Sequence, residues 1–301
     1  MFKKLLFSGC LIVSSLSHAL EPLEIAENVY ALVGPLENRT PENLGNNATF
    51  GFITTSEGVV LIDSGGTLKG AQAIERAIHT ITPLPIRLVI NTGGQDHRWF
   101  GNDYFAKKGA ELVTSDATLA DQQARTEQQI ARMQGLTGAS FEGTDPRYAQ
   151  RIIDARTTFT LGDTTFEVMP VGPSHTGGEN MVWLNDQEIA FTGDLVYVDR
   201  MLSIGAQSQH KAWISAFNQL DTLKPSVVVP GHGYPTDMNK ARQDTLNYLT
   251  FLRTEVSKLI EAGDEMSAAS SIDQSEFAYL KVHQEVSRRN ALRVYEELEW
   301  E

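Results

Sequence analysis

Four short polar stretches follow apolar runs and hold the side chains of this chain best suited to chemistry. They are Asn91-Thr-Gly-Gly-Gln-Asp-His-Arg-Trp-Phe-Gly-Asn102, Gly172-Pro-Ser-His-Thr-Gly-Gly178, Phe191-Thr-Gly-Asp194 and Pro230-Gly-His-Gly233. Polar residues just past buried strands are where chemistry is usually mounted on a rigid scaffold. A lone loop histidine is more often a satisfied hydrogen-bonding residue than a ligand, so each stretch taken singly says little. Together, His175, Asp194 and His232 offer imidazole and carboxylate, which Zn²⁺ accepts, and a catalytic zinc needs only about three such ligands plus a water. The single cysteine, Cys10, lies in an N-terminal segment that reads as a removable secretory signal and would leave with it, so thiolate ligands, thiol catalysis and disulfides drop out together.

Such loops need strands to hold them. Asn47 to Thr55 alternates apolar and polar residues, Ser56-Glu57-Gly58 turns the chain, and Val59 to Ile62 follows, which predicts a β-hairpin ending in Asp63-Ser64-Gly65-Gly66. Helical spacing runs from Ala71 to Ile81, with Ile74, Ile78 and Ile81 on one stripe, and Leu88-Val89-Ile90 reads as a buried strand. The second half echoes the first. Phe166 to Val171 is a strand, Asn180 to Leu184 pairs across Asn185-Asp186 with Glu188 to Phe191, Trp213 to Leu223 is an amphipathic helix, and Pro225 to Pro230 is a short buried strand. Residues 115 to 157, rich in Gln, Arg and Ala, predict helices inserted over one end, and the pattern is helical again from Met238. Strand pairs separated by helices, given twice, predict two β-sheets packed face to face with helices outside. No Pro/Gly-rich linker divides the chain, so one domain is expected over residues 20–301, with C-terminal helices from about residue 240.

In the order and spacing of Asp63-Ser-Gly, Gly172-Pro-Ser-His175-Thr-Gly-Gly, Phe191-Thr-Gly-Asp194, Pro230-Gly-His232-Gly and the Asn91-Thr frame ending in Gly101-Asn102, the chain resembles the metallo-β-lactamase superfamily over most of residues 25 to 240. Within it, the resemblance is to the periplasmic zinc metallohydrolases associated with quinoprotein systems. It implies a four-layer αββα sandwich with a site at one edge of the sheets, His175 and His232 as metal ligands and Asp194 between two metal positions.

The loop that should supply most ligands departs from the pattern. The family writes Asn-Thr-His-x-His-x-Asp-His-x-x-Gly-Asn; at equal length this chain has Gly93 and Gln95 for the two histidines, His97 for the aspartate and Arg98 for the last histidine. A shift of one residue instead lays Asp96-His97 on the family's Asp-His pair. That register leaves Asp96, His97, Asp194 and His232 around one zinc ion, with Asp96 orienting its water, while a second position keeps only His175 and Asp194. Arg98 bears on the choice, since like charges about 4 Å apart repel by ~4 kcal/mol at an effective dielectric near 20. It either turns away toward a carboxylate or fills the vacated position and clamps an anion. Elsewhere, Asp63 is expected to cap a helix or buttress the site loop. His79, His210 and His283 read as ordinary polar positions, and Trp99, Trp183 and Trp213 as packing. Tyr197 is a candidate for binding a substrate oxygen.

The function expected is a metal-dependent hydrolase of a small-molecule carbonyl or ester-type substrate. The alternatives are a metal-depleted ligand-binding protein on the same fold, or a β-lactamase. With 25 Lys and Arg against 38 Asp and Glu, the formal charge of −13 repels phosphate backbones, so nucleic acid is not an expected partner. Lys3 and Lys4 precede an apolar run from Leu5 to Leu16, and Ser17-His18-Ala19 places small residues three and one before a cut, the pattern of a secretory signal over residues 1–19. That run is too short to span a bilayer, which takes about 20 residues, so the mature chain is expected to lack an integral membrane segment and to be periplasmic or secreted. Phe7-Ser8-Gly9-Cys10 resembles a lipoprotein box but leaves too short an apolar region. Mass spectrometry of the exported protein should therefore give a chain beginning at Leu20; a diacylated chain beginning at Cys10 would overturn this.

Overall fold

The period of two along each strand decides how the layers form. In Gly58–Ile62, Val59 and Leu61 pack to one side among Phe50, Phe52 and the helical Ile74 and Ile78, while Val60 and Ile62 pack to the other among Phe166, Val182 and Phe191. In Glu179–Leu184 the alternation serves the opposite sheet: Val182 and Leu184 face the shared middle, and Met181 and Trp183 face the C-terminal helices. Strands buried on both faces can only be inner layers, which is the αββα arrangement expected.

The computed structural model describes residues 20–301, and the predicted signal segment lies outside them. One sheet has seven strands in the order β1 (Pro22–Ala26), β2 (Val29–Val33), β3 (Thr49–Thr55), β4 (Gly58–Ile62), β5 (Ile86–Ile90), β6 (Glu111–Ser115) and β7 (Arg151–Ile153). The other has five, in the order β12 (Val227–Val229), β11 (Ile189–Phe191), β10 (Glu179–Leu184), β9 (Thr164–Gly172) and β8 (Thr157–Leu161). Strands β4 to β7 run parallel, as do β11 and β12; the remaining neighbours are antiparallel.

Helices α1 (Leu68–Ile78), α2 (Asp96–Trp99), α3 (Asn102–Lys107) and α4 (Asp116–Thr137) belong to the first half, and α5 (His210–Leu223), α6 (Met238–Ala241), α7 (Asn247–Ala262), α8 (Met266–Ala269) and α9 (His283–Leu298) to the second. Helix α1 begins earlier than its apolar stripe because Thr67 caps it, its hydroxyl accepting from the Gly70 amide, and it ends before Ile81. The stretch 115 to 157 is helical only in its first half. Arg151-Ile-Ile153 instead extends β6 as a parallel edge strand, where β-branched residues are at home. No helix among the described residues is long and apolar enough to cross a membrane.

The sheets are in tight contact at Gly51, where an added Cβ would lie 2.2 Å from the Phe191 ring of the opposite sheet. Overpacking a filled core costs about 1–3 kcal/mol. Gly51→Ala should lower the unfolding free energy by that amount in a denaturant titration; an unchanged midpoint would mean that the sheets part more easily than their packing implies.

Candidate functional site

Both sheets deliver strand ends to one edge. Asp63 follows β4, the Asn91 loop follows β5, His175 follows β9, Asp194 follows β11 and His232 follows β12. The side chains that could do chemistry are all buried, Asp63, His97, Asp194 and His232 each to 3% exposure or less and His175 to 5%.

Arg98 sits at the centre of the cluster. Its side chain is fully buried and turned inward: Nη1 donates to Asp63 Oδ2 (2.9 Å) and to the Thr49 carbonyl (3.0 Å), and Nη2 donates to Asp194 Oδ1 (2.6 Å) and to the Gly231 carbonyl (2.8 Å). Position 231 has to be glycine for this contact, because a Cβ there would meet Arg98 Nη2 at 2.6 Å and the Gly193 carbonyl at 2.3 Å. Burial works against the guanidinium charge, but Asp194 and Asp63 outweigh it and raise the Arg98 pKa. Asp63 does not cap α1; it accepts from the Thr92 amide (2.8 Å) and hydroxyl (2.7 Å) as well as from Arg98, and so ties the site loop to β4. Its backbone has φ +66°, a left-handed conformation that aspartate tolerates better than most residues.

Asp194 collects the histidines. His97 Nε2 lies 3.1 Å and His175 Nε2 4.0 Å from its Oδ2, and His232 Nε2 lies 3.3 Å from its Oδ1. Of these, His97, Asp194 and His232 bring one donor atom each within 4.8 Å of one another, a group able to hold a metal ion. Burial lowers the pKa of His97, His175 and His232, the latter two to about 4 and about 3, so all three rings are neutral at pH 7. Burial opposes the Asp194 charge, yet Arg98 and His97 hold its carboxyl well below the usual range.

Partners fix the tautomers. His232 Nδ1 faces the Asn47 carbonyl at 2.9 Å, an acceptor only, so Nδ1 carries the proton and Nε2 turns a lone pair toward the Asp194 carboxylate. Two lone-pair atoms in that position suit a cation. His97 is arranged differently: Nδ1 accepts from Arg39, so Nε2 carries the proton and donates it to Asp194. His97 ligates a metal only in its other tautomer, with Nδ1 turned to Asp96 Oδ1, now 3.7 Å away, in place of Arg39.

Asp96 corrects the expectation for the loop. It was placed beside the cation, orienting a water; its Oδ1 instead accepts from Arg39 Nη2 (2.7 Å) and from the His97 amide (2.8 Å), and Gln95 donates to Oδ2 (3.1 Å). With no exposed surface it does not line the cleft, and it meets the histidine cluster only from behind, through His97. The side chains thus follow the equal-length register, His97 inward at the family's aspartate position and Arg98 inward at its last histidine. Arg98 faces a protein carboxylate pair rather than a free anion.

Tyr197 stacks on His232, with ring centroids 4.6 Å apart, and lines the same cleft. His210 donates to the Leu249 carbonyl, His283 donates to the Gln274 carbonyl, and His79 closes α1, all away from the cluster. Trp99, Trp183 and Trp213 are buried in packing.

A two-sheet sandwich flanked by helices, with a histidine and carboxylate cluster at the ends of its strands, defines the class of fold. The chain belongs to the metallo-beta-lactamase superfamily, whose family model matches residues 45–232. Among solved structures it is similar to a metallo-beta-lactamase from Pontibacter korlensis, with 25% identity over 77% of this chain and 99% of that one and a TM-score of 0.62. The inverting sec-alkylsulfatase Pisa1 from a Pseudomonas species shares the fold at 15% identity and a TM-score of 0.72, covering 92% of this chain, which spans 50% of the sulfatase. The DIM-1 metallo-beta-lactamase is similar at 16% identity over 74% of this chain and 93% of its own, with a TM-score of 0.57.

Two site residues carried no motif signal. Arg39 comes from the loop before β3, remote in sequence from everything it touches. Glu179, at the start of β10, is 1% exposed; its Oε1 accepts from the Thr176 amide (3.1 Å) and hydroxyl (2.6 Å), and its Oε2 has no partner. Burial, then the nearby Asp194 charge, pushes this carboxyl well above its ordinary value of 4.5. A carboxyl raised on folding binds more protons folded than unfolded, so it weakens stability progressively as pH rises past the unfolded value. Glu179→Gln keeps the acceptor and removes the charge. It should melt above the wild type at pH 8, with the gap closing toward pH 4.5; a gap constant with pH would show that Glu179 is not held neutral.

Proposed function

We propose that this chain is an exported hydrolase that works with one zinc ion held by Asp194, His232 and His97, with His175 beside it. The observation that carries this reading is the approach of the three donor atoms within 4.8 Å of one another at the edge of a superfamily fold. Separations of 3.1 and 3.3 Å from Asp194 to the two imidazoles match the spacing of ligands around a tetrahedral ion whose bonds are about 2.0–2.2 Å. A second ion is disfavoured. Gly93 and Gln95 stand where the superfamily pattern has the two histidines that would join His175, and Arg98 takes up Asp194 Oδ1 on the side of His232.

When bound, the ion would supply Lewis acidity and lower the pKa of a water toward about 7 for attack on a carbonyl or similar ester carbon. The chain's own residues prepare that place. Asp63 balances the Arg98 charge, so that Asp194 keeps net negative charge available on its Oδ2 side. Asn47 holds the His232 proton on Nδ1, Tyr197 fixes the plane of that ring, and Arg39 has to leave Nδ1 of His97 before that ring can ligate.

A second reading, a metal-free ligand-binding protein, is favoured by those two arginines: one shares Asp194 with the cluster and the other holds His97 in the tautomer that cannot ligate. β-Lactam hydrolysis is a narrower alternative within the enzymes, testable with a chromogenic cephalosporin. Export rests on the N-terminal segment alone.

Elemental analysis of the purified protein should give close to one zinc per chain, lost on His232→Ala. Zinc in about 100-fold excess over its Kd should stabilise the fold by about 2.7 kcal/mol, visible as a raised Tm that a chelator reverses. A wild type with no zinc and no zinc-dependent shift in Tm would overturn the hydrolase reading in favour of the second.

A further inference from the structure

The cleft above the histidines reverses the sign of the chain. The protein carries a formal charge of −13, yet this cleft of 230 Å³ is lined by Arg39, Arg132, Arg200 and Arg289, with Glu285 as its one carboxylate among the described residues. His97, His175 and His232, all neutral, line it as well.

Most of that positive charge is uncompensated. Arg39 is paired with Asp96 at 2.7 Å, and Glu285 accepts from Asn38 at 2.6 Å. Among the described residues, Arg132, Arg200 and Arg289 meet no carboxylate within ion-pair reach. Arg200 is 6% exposed, and the acceptors that hold it are neutral: the Leu36 carbonyl, the Glu37 carbonyl (3.0 Å) and Asn38 Oδ1 (3.0 Å). Arg289 donates to the Ser203 hydroxyl at 2.6 Å. A buried guanidinium satisfied only by neutral groups still lacks a counterion, and a charge that far from water is costly unless something of opposite sign completes it. Arginine presents a planar fork of donors that matches an oxyanion in two-point contact.

We propose that the cleft selects substrates bearing an oxyanion group, a carboxylate, sulfate or phosphate, held by Arg132, Arg200 and Arg289 while the scissile centre lies over the histidine cluster. The three arginines come from α4, the segment after Asp194 and α9. Helix α9 lies beyond the matched segment 45–232, so the C-terminal extension would serve as one wall of the specificity pocket. As a statement about a substrate it rests on the hydrolase reading; as a statement about anion binding it does not.

The test is made on full-length mature protein, metal-free and zinc-loaded in parallel, with sodium sulfate, inorganic phosphate and acetate each compared with sodium chloride at equal ionic strength. At least one oxyanion should raise Tm by several degrees beyond chloride in both forms. Arg132→Gln with Arg289→Gln, both at exposed positions, should weaken the dissociation constant for that anion about tenfold or more by calorimetry while leaving zinc content unchanged. Arg200→Gln should do the same if it folds, and the double variant keeps the test valid if it does not. Oxyanions no better than chloride, or a double variant that binds them as the wild type does, would overturn the proposal. Arginine-dependent anion binding in a protein that takes up no zinc would support the anion site and count against the hydrolase reading alone.

Discussion

The Arg98 guanidinium joins the two halves of this molecule, and the site takes its shape from that joint. Its two amino groups reach Asp63 and the Thr49 carbonyl on the seven-stranded side, and Asp194 and the Gly231 carbonyl on the five-stranded side. Four strand ends are thereby held to one planar group. Removing either carboxylate alone would leave buried charge without its partner, a loss of about 3–5 kcal/mol for such pairs. The triad is therefore a constraint more than a source of net stability, since its members were costly to desolvate in the first place.

From that constraint the electrostatics of the cluster follow. Because Arg98 neutralises part of Asp194, the carboxylate stays ionised in a fully buried place and can draw three imidazoles around it without their taking up protons. Neutral imidazoles are what a metal needs, and their lone pairs are what a protonated cluster would have lost. The residue that looks least compatible with a metal site thus also helps keep these imidazoles neutral.

Sequence made the sandwich legible because its strands alternate so regularly and because Asp63, His175, Asp194 and His232 each stand one short step past an apolar run. The altered loop was harder. Two registers were open there, and what decides between them is Asp63 and Asp194 lying on either side of Arg98, a relation no spacing within the loop encodes. Asp96 was misplaced for the same reason: its partner Arg39 is 57 positions away, in a segment without periodicity or motif. The arginines of the cleft escaped notice because they are scattered over α4, a loop and α9, and only folding gathers them. Strand β7 was missed where three β-branched and charged residues gave too short a pattern to outweigh the helical composition around them.

The departures in the loop are also coupled to one another in space. A Cβ on Gly93 would stand 2.2 Å from Glu179 Oε2, and one on Gly94 1.8 Å from Asp121 Oδ2, the carboxylate that pairs with Arg125. A histidine at position 93 would need the volume that the Glu179 side chain now fills, and burial, then the charge of Asp194, pushes the Glu179 carboxyl well above its ordinary value. Restoring one ligand of the family pattern would therefore displace a buried acid. Restoring the last histidine in place of Arg98 would leave Asp63 and Asp194 facing each other without a cation. Loss of ligands by drift would leave cavities and unpaired groups at each changed position. Here the space beside Gly93 holds Glu179 and Arg98 supplies the charge between Asp63 and Asp194, so at positions 93 and 98 the family's histidines are blocked by what now packs there.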